Sequence, residues 1–217
     1  MGKLGFGLMR LPLLDEDYTH IDLDRVRKMV DTFMKAGGTY YDTAYVYHGG
    51  ASEVAFRETV VKRYKRESYT ITDKLPMFMI KDVAQMDSIF AEQLERCGVE
   101  YFDYYWFHAL GKETYELSKK LKAFEFIQLQ INYLDWDDKS VQARECYEVA
   151  KKHGKPVIVM EPVKGGALAN IPEKAGKLLS DREPELSVAS WAIRFAATLE
   201  NVMMVLSGMS NLEQMED

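Results

Sequence analysis

Short apolar runs alternate with amphipathic stretches along the whole chain. The runs predict seven strands, which begin near Leu4, Thr39, Tyr69, Phe102, Gln128, Pro156 and Val202. Between the strands, apolar side chains recur at helical spacing and predict helices near residues 23–34, 83–97, 113–126, 141–153 and 188–199. The order is strand, helix, strand throughout, which indicates consecutive βαβ units.

Two of the predicted strands are apolar on both faces. Residues 157–160 read Val-Ile-Val-Met and residues 203–206 read Met-Met-Val-Leu, a pattern typical of a parallel sheet covered by helices. No Gly-x-Gly-x-x-Gly segment follows the first strand, so an open dinucleotide-binding sheet lacks its best evidence. The sequence therefore favours an α/β fold of the TIM-type (β/α)8 barrel class.

The amino-acid composition argues against several classes of function. The 217 residues include 28 Lys and Arg against 34 Asp and Glu, and the resulting net charge of -6 would repel a nucleic-acid backbone. Cys97 and Cys146 lie far apart in the sequence and predict neither a zinc site nor an iron–sulfur cluster. We expect a cytoplasmic protein without a signal peptide or membrane span, with no metal and no nucleic-acid partner.

Ionisable side chains stand near predicted strand ends, where the active sites of parallel barrels lie. Asp42, Lys74 and His108 each close a strand, and Tyr47 follows in the loop after the second strand. Taken singly, each has a structural explanation: a turn cap, a surface cation, a buried core histidine and a loop aromatic, respectively. Three consecutive strand ends with ionisable groups are better explained together, as a catalytic site.

The motifs around these residues resemble those of the aldo-keto reductases in order and spacing. They are GFGLMRLP at 5–12, YDTAYVYHGGASE at 41–53, DKLP at 73–76, YYWFH at 104–108, QLQ at 128–130, MEPVKGG at 160–166 and SGMSNLEQ at 207–214. The last motif resembles the potassium-channel beta subunits and the bacterial branch, some members of which continue into a ferredoxin-like module. The resemblance implies an NAD(P)H-dependent enzyme that reduces aldehydes or ketones.

The four ionisable residues also suit that reaction chemically. A carbonyl that accepts a hydride needs a proton donor, and a phenol with a pKa near 10 is a slow acid unless its phenolate is stabilised. We expect Lys74 to lower the pKa of Tyr47, and Asp42 to hold Lys74 charged and in place. His108 would orient the carbonyl oxygen. A hydride cannot come from an amino acid, so the reaction requires a nicotinamide cofactor.

The resemblance implies further residues that contact this cofactor. The nicotinamide end would be approached by Gly7, Leu8, Met9, Arg10 and Asp42, with Gln128 at the carboxamide and Gln130 as a less favoured rival. The pyrophosphate would be held by the loop that contains Met160, Glu161, Pro162, Val163 and Gly165. The adenosine end would face Ser207, Gly208, Ser210, Gln214 and Asp217. Gly165 and Gly166 also suit an ordinary loop after a strand.

The choice of cofactor rests on the positions that would face a 2′-phosphate. These are Gly208 and Gln214, which carry no charge, yet the channel-subunit branch uses NADP with a similar Ser-Asn-x-x-Gln pattern. We expect NADP, with NAD as the alternative, and a small-molecule carbonyl substrate. Two other functions remain open: a nucleotide-binding sensor or channel-type subunit with little turnover, and a Schiff-base aldolase that uses Lys74.

The predicted strand count is one short of a (β/α)8 barrel. The shortage falls between His108 and Gln128, where the only intervening element is the helix near residues 113–126. We therefore expect a single barrel domain over residues 1–217 with residues omitted near 124–128 and again beyond Asp217. A true deletion, or a pseudo-enzyme with a broken barrel, is the weaker alternative.

Overall fold

The computed structural model describes residues 2–82, 84–109 and 125–217. These residues belong to two compact units, each with its own apolar core. The larger unit comprises Phe6–Lys122 and Gly208–Glu216, and the smaller unit comprises Met1–Gly5, Ala123–Ser207 and Asp217. Strand β1, Leu4–Gly7, contributes residues to both units.

The larger unit contains parallel strands covered by helices. Its strands after β1 are β2 (Tyr40–Asp42), β3 (Thr70–Pro76) and β4 (Tyr104–His108). Its helices are α1 (Leu23–Lys35), α2 (Ala51–Phe56), α3 (Ala84–Cys97) and the C-terminal α7 (Leu212–Glu216). Neighbouring strands pair in the order β1, β2, β3, β4, with Gly7 opposite Asp42 and Lys74 opposite Trp106.

Helix α1 shows why the sequence pattern predicts these elements. The side chain of Asp22 caps its start by accepting a hydrogen bond from the Arg25 backbone N–H at 3.0 Å. Gly37, with a φ of 83°, follows its end in a conformation that favours glycine. Its apolar face, which includes Val26 and Phe33, is buried in the core of the larger unit.

The smaller unit repeats the same layering. Its strands are β5 (Ile127–Gln130), β6 (Val157–Met160) and β7 (Val202–Ser207), and its helices are α4 (Ala143–Lys152), α5 (Glu173–Arg182) and α6 (Val188–Thr198). Strands β5, β6 and β7 pair in parallel, and the Val205 N–H donates to the Lys3 carbonyl at 2.6 Å. The doubly apolar strand β6 is buried over its first three residues, as a covered parallel sheet requires.

The predicted parallel α/β architecture is confirmed. All seven predicted strands are present, and the helices near 23–34, 83–97, 141–153 and 188–199 are found as α1, α3, α4 and α6. The prediction of a helix near 113–126 falls almost wholly outside the described residues. Helix α5 was not predicted because it buries none of its residues and so has no clear apolar face. No helix in the described ranges is long and apolar enough to cross a membrane.

Candidate active site

The larger unit brings the four ionisable candidates together at the ends of its strands. Asp42 is the last residue of β2, His108 is the last residue of β4, and Tyr47 begins a short 3₁₀ turn that leads into α2. Lys74 lies two residues before the end of β3, because that strand runs on to Pro76. Parallel pairing of β2, β3 and β4 places these ends at one edge of the unit.

Lys74 is the centre of the group. Its ammonium is buried and donates to Asp42 Oδ1 at 2.5 Å and to the Thr43 carbonyl at 2.5 Å. Burial opposes the charge on Lys74, but the neighbouring negative groups, Asp42 first, outweigh it and raise the pKa of the ammonium. Burial also raises the pKa of Asp42 against the opposing effect of Lys74. The second oxygen of Asp42, Oδ2, is buried and has no hydrogen-bond partner among the described residues.

Tyr47 lies against this ion pair. The Lys74 ammonium is 4.7 Å from the centre of the Tyr47 ring, on its face. Burial raises the pKa of Tyr47, and Lys74 acts against it in the predicted direction; burial is the larger effect, so the net pKa is raised. Burial depends on the packing of the whole unit, which sequence spacing does not show. The phenol therefore holds its proton at neutral pH.

His108 completes the group as a neutral imidazole. Its ring meets the Tyr47 ring edge-on, with centroids 5.7 Å apart and an interplanar angle of 89°. Burial, assisted by the charge of Lys74, lowers the pKa of His108 to about 4. Its Nδ1 is buried without a hydrogen-bond partner among the described residues. The site therefore offers a phenol, a neutral imidazole and a fixed ammonium side by side.

Several neighbours of these residues were not predicted from the sequence. Phe78, in the 3₁₀ turn after β3, is exposed, and its ring lies 5.8 Å from that of His108. Glu53, Asp73 and Gln93 are buried behind Lys74, on α2, β3 and α3. The signal that marks Asp73 is a second charged residue directly before Lys74 inside a predicted strand, which the sequence patterns assigned only to a motif.

Two further groups of predicted cofactor contacts lie in the larger unit. Gly7 ends β1, and Leu8, Met9 and Arg10 form the 3₁₀ turn that follows it. Gly208 precedes α7, and Ser210 and Gln214 are linked by a hydrogen bond from the Ser210 N–H to Gln214 Oε1 at 2.8 Å. Both groups contribute to an open cavity of about 390 Å³, lined by Met9, Arg10, Leu11, Pro12, Leu13, Tyr18, Arg25, His48 and Ser210.

The remaining predicted contacts belong to the smaller unit. Met160 ends β6 and leads into the loop with Glu161, Pro162, Val163 and Gly165, while Ser207 ends β7 and Asp217 accepts a hydrogen bond from Ser187 at 2.5 Å. In this loop Glu161, Lys164, Gly165 and Gly166 all have positive φ values. Gln130 donates to Asp135 at 2.9 Å, whereas Gln128 makes no side-chain hydrogen bond within the described part of the chain.

Comparisons with known proteins identify the family and the fold of this chain. The sequence profile described as "Aldo/keto reductase family" matches residues 3–125 and 112–217. A comparison with curated protein sequences found no match. Because the family profile covers nearly the whole chain, the protein belongs to the aldo/keto reductase family, and the predicted resemblance is confirmed.

Solved structures show the same fold. The aldo-keto reductase AKR11C1 from Bacillus halodurans matches 99% of this chain and 84% of its own length, with a TM-score of 0.75 and 20% identity. An aldo-keto reductase from Klebsiella pneumoniae in complex with NADPH matches 99% and 83%, with a TM-score of 0.74 and 16% identity. The thermostable aldo-keto reductase Tm1743, in complex with the inhibitor epalrestat, matches 98% and 86%, with a TM-score of 0.76 and 16% identity. The predicted (β/α)8 barrel class, here shortened, is thereby confirmed.

Proposed function

We propose that this protein is an NADP-dependent reductase of aldehydes or ketones in which Tyr47 donates the proton. One observation carries the proposal: a buried ammonium, Lys74, fixed by Asp42, lies on the face of a tyrosine whose ring touches a neutral histidine. Membership of an oxidoreductase family and the NADPH bound to the Klebsiella relative support it.

The residues of this chain fit a nicotinamide dinucleotide. Asp42 Oδ2 and His108 Nδ1 are buried without partners among the described residues, so the site has polar atoms left for a bound molecule. In the smaller unit, Gly165 and Gly166 are exposed and have φ values of 63° and 97°. Because glycine has no side chain, a ligand can approach the backbone closely at these two positions. When bound, the nicotinamide supplies the hydride.

We assign the nicotinamide end to Gly7, Leu8, Met9, Arg10, Asp42 and Gln128, the pyrophosphate to Met160, Glu161, Pro162, Val163 and Gly165, and the adenosine end to Ser207, Gly208, Ser210, Gln214 and Asp217. Gln128 is preferred to Gln130 because the amide of Gln130 is already held by Asp135. NADP is preferred to NAD because the similar Klebsiella enzymes hold NADPH or NADP.

Side chains of this protein carry out the other parts of the reaction. The Tyr47 hydroxyl gives its proton to the carbonyl oxygen as negative charge develops there. Its raised pKa keeps this proton in place until substrate binds. The Lys74 ammonium stabilises the phenolate that remains, and Asp42 prevents the ammonium from turning away. His108, which is neutral, offers a hydrogen bond to the same oxygen and fixes its orientation.

Neither of the two alternative functions explains all four residues of the site. A sensor with little turnover needs the cofactor but not the arrangement of Tyr47 on Lys74. An aldolase needs an unprotonated lysine as nucleophile, whereas the raised pKa of Lys74 keeps it charged. We also propose that the protein is cytoplasmic and that its substrate is a small carbonyl compound.

We also propose that residues 1–217 form one barrel domain from which a strand and helix are missing between β4 and β5. In the described part of the chain, β4 pairs only with β3 and β5 only with β6. The family profile matches in two pieces that overlap at residues 112–125, and the match covers 84% of the Bacillus halodurans relative. Phe124 and the residues before it to Leu110 lie outside the described ranges. Peptide mapping between β4 and β5 would detect omitted residues there, and peptides that continue without a break through residues 110–128 would show a true deletion.

The decisive experiment mixes the protein with NADPH and a panel of aldehydes and follows the loss of NADPH absorbance. Aldehyde-dependent oxidation in the wild type, with none in Tyr47→Phe, supports the proposal. Binding of NADPH without turnover would favour the sensor, and borohydride trapping of a substrate on Lys74 would favour the aldolase. A parallel titration with NADP and NAD tests the choice of cofactor.

A further inference from the structure

A second ionisable group lies buried behind Lys74 in the larger unit. Glu53 on α2, Asp73 on β3 and Cys97 on α3 are all fully buried. One carboxylate oxygen of each acid and the Cys97 sulfur lie within 4.8 Å of one another. The proposed mechanism uses none of these groups. Two carboxyl groups in so small a buried space need a specific explanation.

The partners of the two acids differ. Arg96 donates to Glu53 Oε2 at 3.0 Å, so Glu53 has a cation beside it. Within the described ranges Asp73 has no such ion pair: its Oδ1 accepts the Lys74 backbone N–H at 2.7 Å, and its Oδ2 accepts the weak Cys97 S–H at 3.7 Å. Glu53 Oε1 is buried with no partner among the described residues.

These contacts are explained by one proton. Two adjacent buried carboxylates repel each other too strongly for both to be ionised. Burial raises the pKa of both acids, and repulsion from Glu53 raises that of Asp73 further. Arg96 favours the charge on Glu53, which leaves the proton to Asp73. A proton on Asp73 Oδ2 also supplies the donor that Glu53 Oε1 lacks.

We propose that Asp73, fully buried against Glu53, keeps its proton and acts as a neutral positioning residue for Lys74. In this state its Oδ1 holds the Lys74 N–H while its O–H holds Glu53. Gln93 holds the other side of the same residue: its Nε2 donates to the Lys74 carbonyl at 3.2 Å, and its Oε1 accepts from Tyr105 at 2.5 Å. The backbone of Lys74 is thus fixed on both sides.

Neutrality of Asp73 also bears on the proton donor. Tyr47 lies on the Lys74 ammonium, and an ionised Asp73 would raise the pKa of Tyr47 further. A more basic phenolate would make Tyr47 a weaker acid toward the carbonyl oxygen. With Asp73 neutral, Asp42 is the carboxylate that balances the charge of the Lys74 ammonium, whose hydrogen bond it accepts.

Other charged and titratable groups surround the acid pair. They are Tyr45, Tyr47 and Arg57 from the segments around α2, Lys74 from β3, Glu92, Arg96 and Cys97 from α3, and Tyr105 from β4. Arg57, Lys74 and Arg96 are the cations in this set. Because Arg96 contacts Glu53 directly, it decides which acid is charged.

Infrared spectroscopy tests the protonation state without any cofactor or substrate. We expect the wild type at pH 7 to show the carbonyl stretch of a buried protonated carboxyl group, and Asp73→Asn to lose it. Glu53→Gln should keep this band but shift it, because the variant removes the charged acceptor of the Asp73 O–H while burial still favours the protonated acid. Cys97→Ala, which alters the same cluster without removing an acid, should keep it. Identical spectra for the wild type and both acid variants would overturn the proposal.

Kinetics test the positioning role, and this arm rests on the proposed reductase activity. Asn at position 73 keeps an acceptor for the Lys74 N–H and a donor for Glu53, so Asp73→Asn should keep kcat within about threefold, whereas Asp73→Leu should lose about tenfold or more. Wild-type kcat should also fall as rising pH ionises the pair, and Asp73→Asn should lack that decline. Equal losses in the Asn and Leu variants would show that Asp73 acts as an anion. If no aldehyde is reduced, the proposed function fails while the infrared result still decides this inference.

Discussion

Each unit of this protein contains an aspartate paired with a lysine, and the two pairs differ in a way that separates chemistry from structure. In the larger unit, Asp42 and Lys74 are both nearly fully buried, with side-chain exposures of 5% and 2%. In the smaller unit, the side chain of Asp135 has the same exposure as that of Asp42, but Lys164 is 37% exposed. The pKa values of the two carboxylates shift in opposite directions: that of Asp42 is raised and that of Asp135 is lowered.

Two features explain this difference: Asp42 is more deeply shielded from water than Asp135, and it accepts fewer hydrogen bonds. Asp42 has Lys74 on one oxygen and no partner among the described residues on the other, so burial dominates its pKa. Burial also acts on Asp135, but Lys164, Asn132 and Gln130 together outweigh it. A fully satisfied carboxylate anchors a loop. A partly satisfied one, next to a buried ammonium, retains capacity to bind a further donor.

Removal of each lysine should separate the two pairs most strongly. Lys74→Met leaves the buried Asp42 uncompensated and should lower the free energy of unfolding by ~3–5 kcal/mol. Lys164→Met leaves Asp135 with two amide donors and removes a partly exposed cation, so we expect a loss of at most ~1 kcal/mol. Urea unfolding at pH 7 measures both. Equal losses would show that burial of the lysine is not what distinguishes the pairs.

Tyr47→Phe tests whether the buried pair serves chemistry. The hydroxyl is needed only as the proton donor, so kcat for aldehyde reduction should fall by ~10²–10⁴ while NADPH affinity changes little. The ring remains on the Lys74 ammonium, so the unfolding free energy should stay close to that of the wild type. Steady-state kinetics with a saturating aldehyde measure the effect. Retention of most of kcat would exclude Tyr47 as the donor.

The parts of this structure that follow from local sequence were predictable. Strands β1 to β7 and the helices with an apolar face follow from periodicity, because each buries one side against the sheet. The placement of Asp42, Lys74 and His108 together follows from parallel pairing, since parallel strands end at the same edge. The family resemblance then assigned their roles.

Other features depend on packing between distant segments. The net direction of the Tyr47 pKa required knowledge of burial, which exceeds the effect of Lys74. Glu53 and Asp73 are twenty residues apart, and only the packing of α2 against β3 and α3 makes them neighbours. The three donors of Asp135 come from β5 and two different loops, so no spacing rule predicts them.

Asp135→Asn should have a smaller effect that depends on pH. Because the folded-state pKa of Asp135 is lowered, its contribution to stability is present above the unfolded pKa of about 3.9 and is lost as the pH falls through the folded value. The variant should lose ~1–3 kcal/mol of unfolding free energy at pH 7, and the difference should shrink at pH 3. Asp137→Asn, which removes an exposed pair with Arg144, should cost at most ~0.5 kcal/mol. A difference independent of pH would contradict the assignment of the charge to Asp135.

The smallest predicted effect is on the pKa values of two histidines. One is buried beside a cation and the other is exposed and hydrogen-bonded, so their pKa values shift in opposite directions. His108 is buried beside Lys74, and its pKa is lowered to about 4, whereas the pKa of exposed His20 is raised above 6.5 by its hydrogen bond to Asp15. NMR titration of the imidazole protons should therefore show His20 titrating above 6.5 and His108 well below it. Lys74→Met should move the His108 midpoint upward by only part of this difference, because burial is the larger cause. It should leave His20 unchanged.

The lowered pKa of His108 also predicts how stability depends on pH. Because the folded-state pKa is below the unfolded value, the free energy of unfolding should fall as the pH drops from about 6.5 toward 4, where the unfolded chain binds a proton that the folded chain does not. His108→Gln should remove this fall in unfolding free energy between pH 6.5 and 4. A titration midpoint of His108 at or above 6.5 would contradict the neutral imidazole, on which the proposed orientation of the carbonyl oxygen depends.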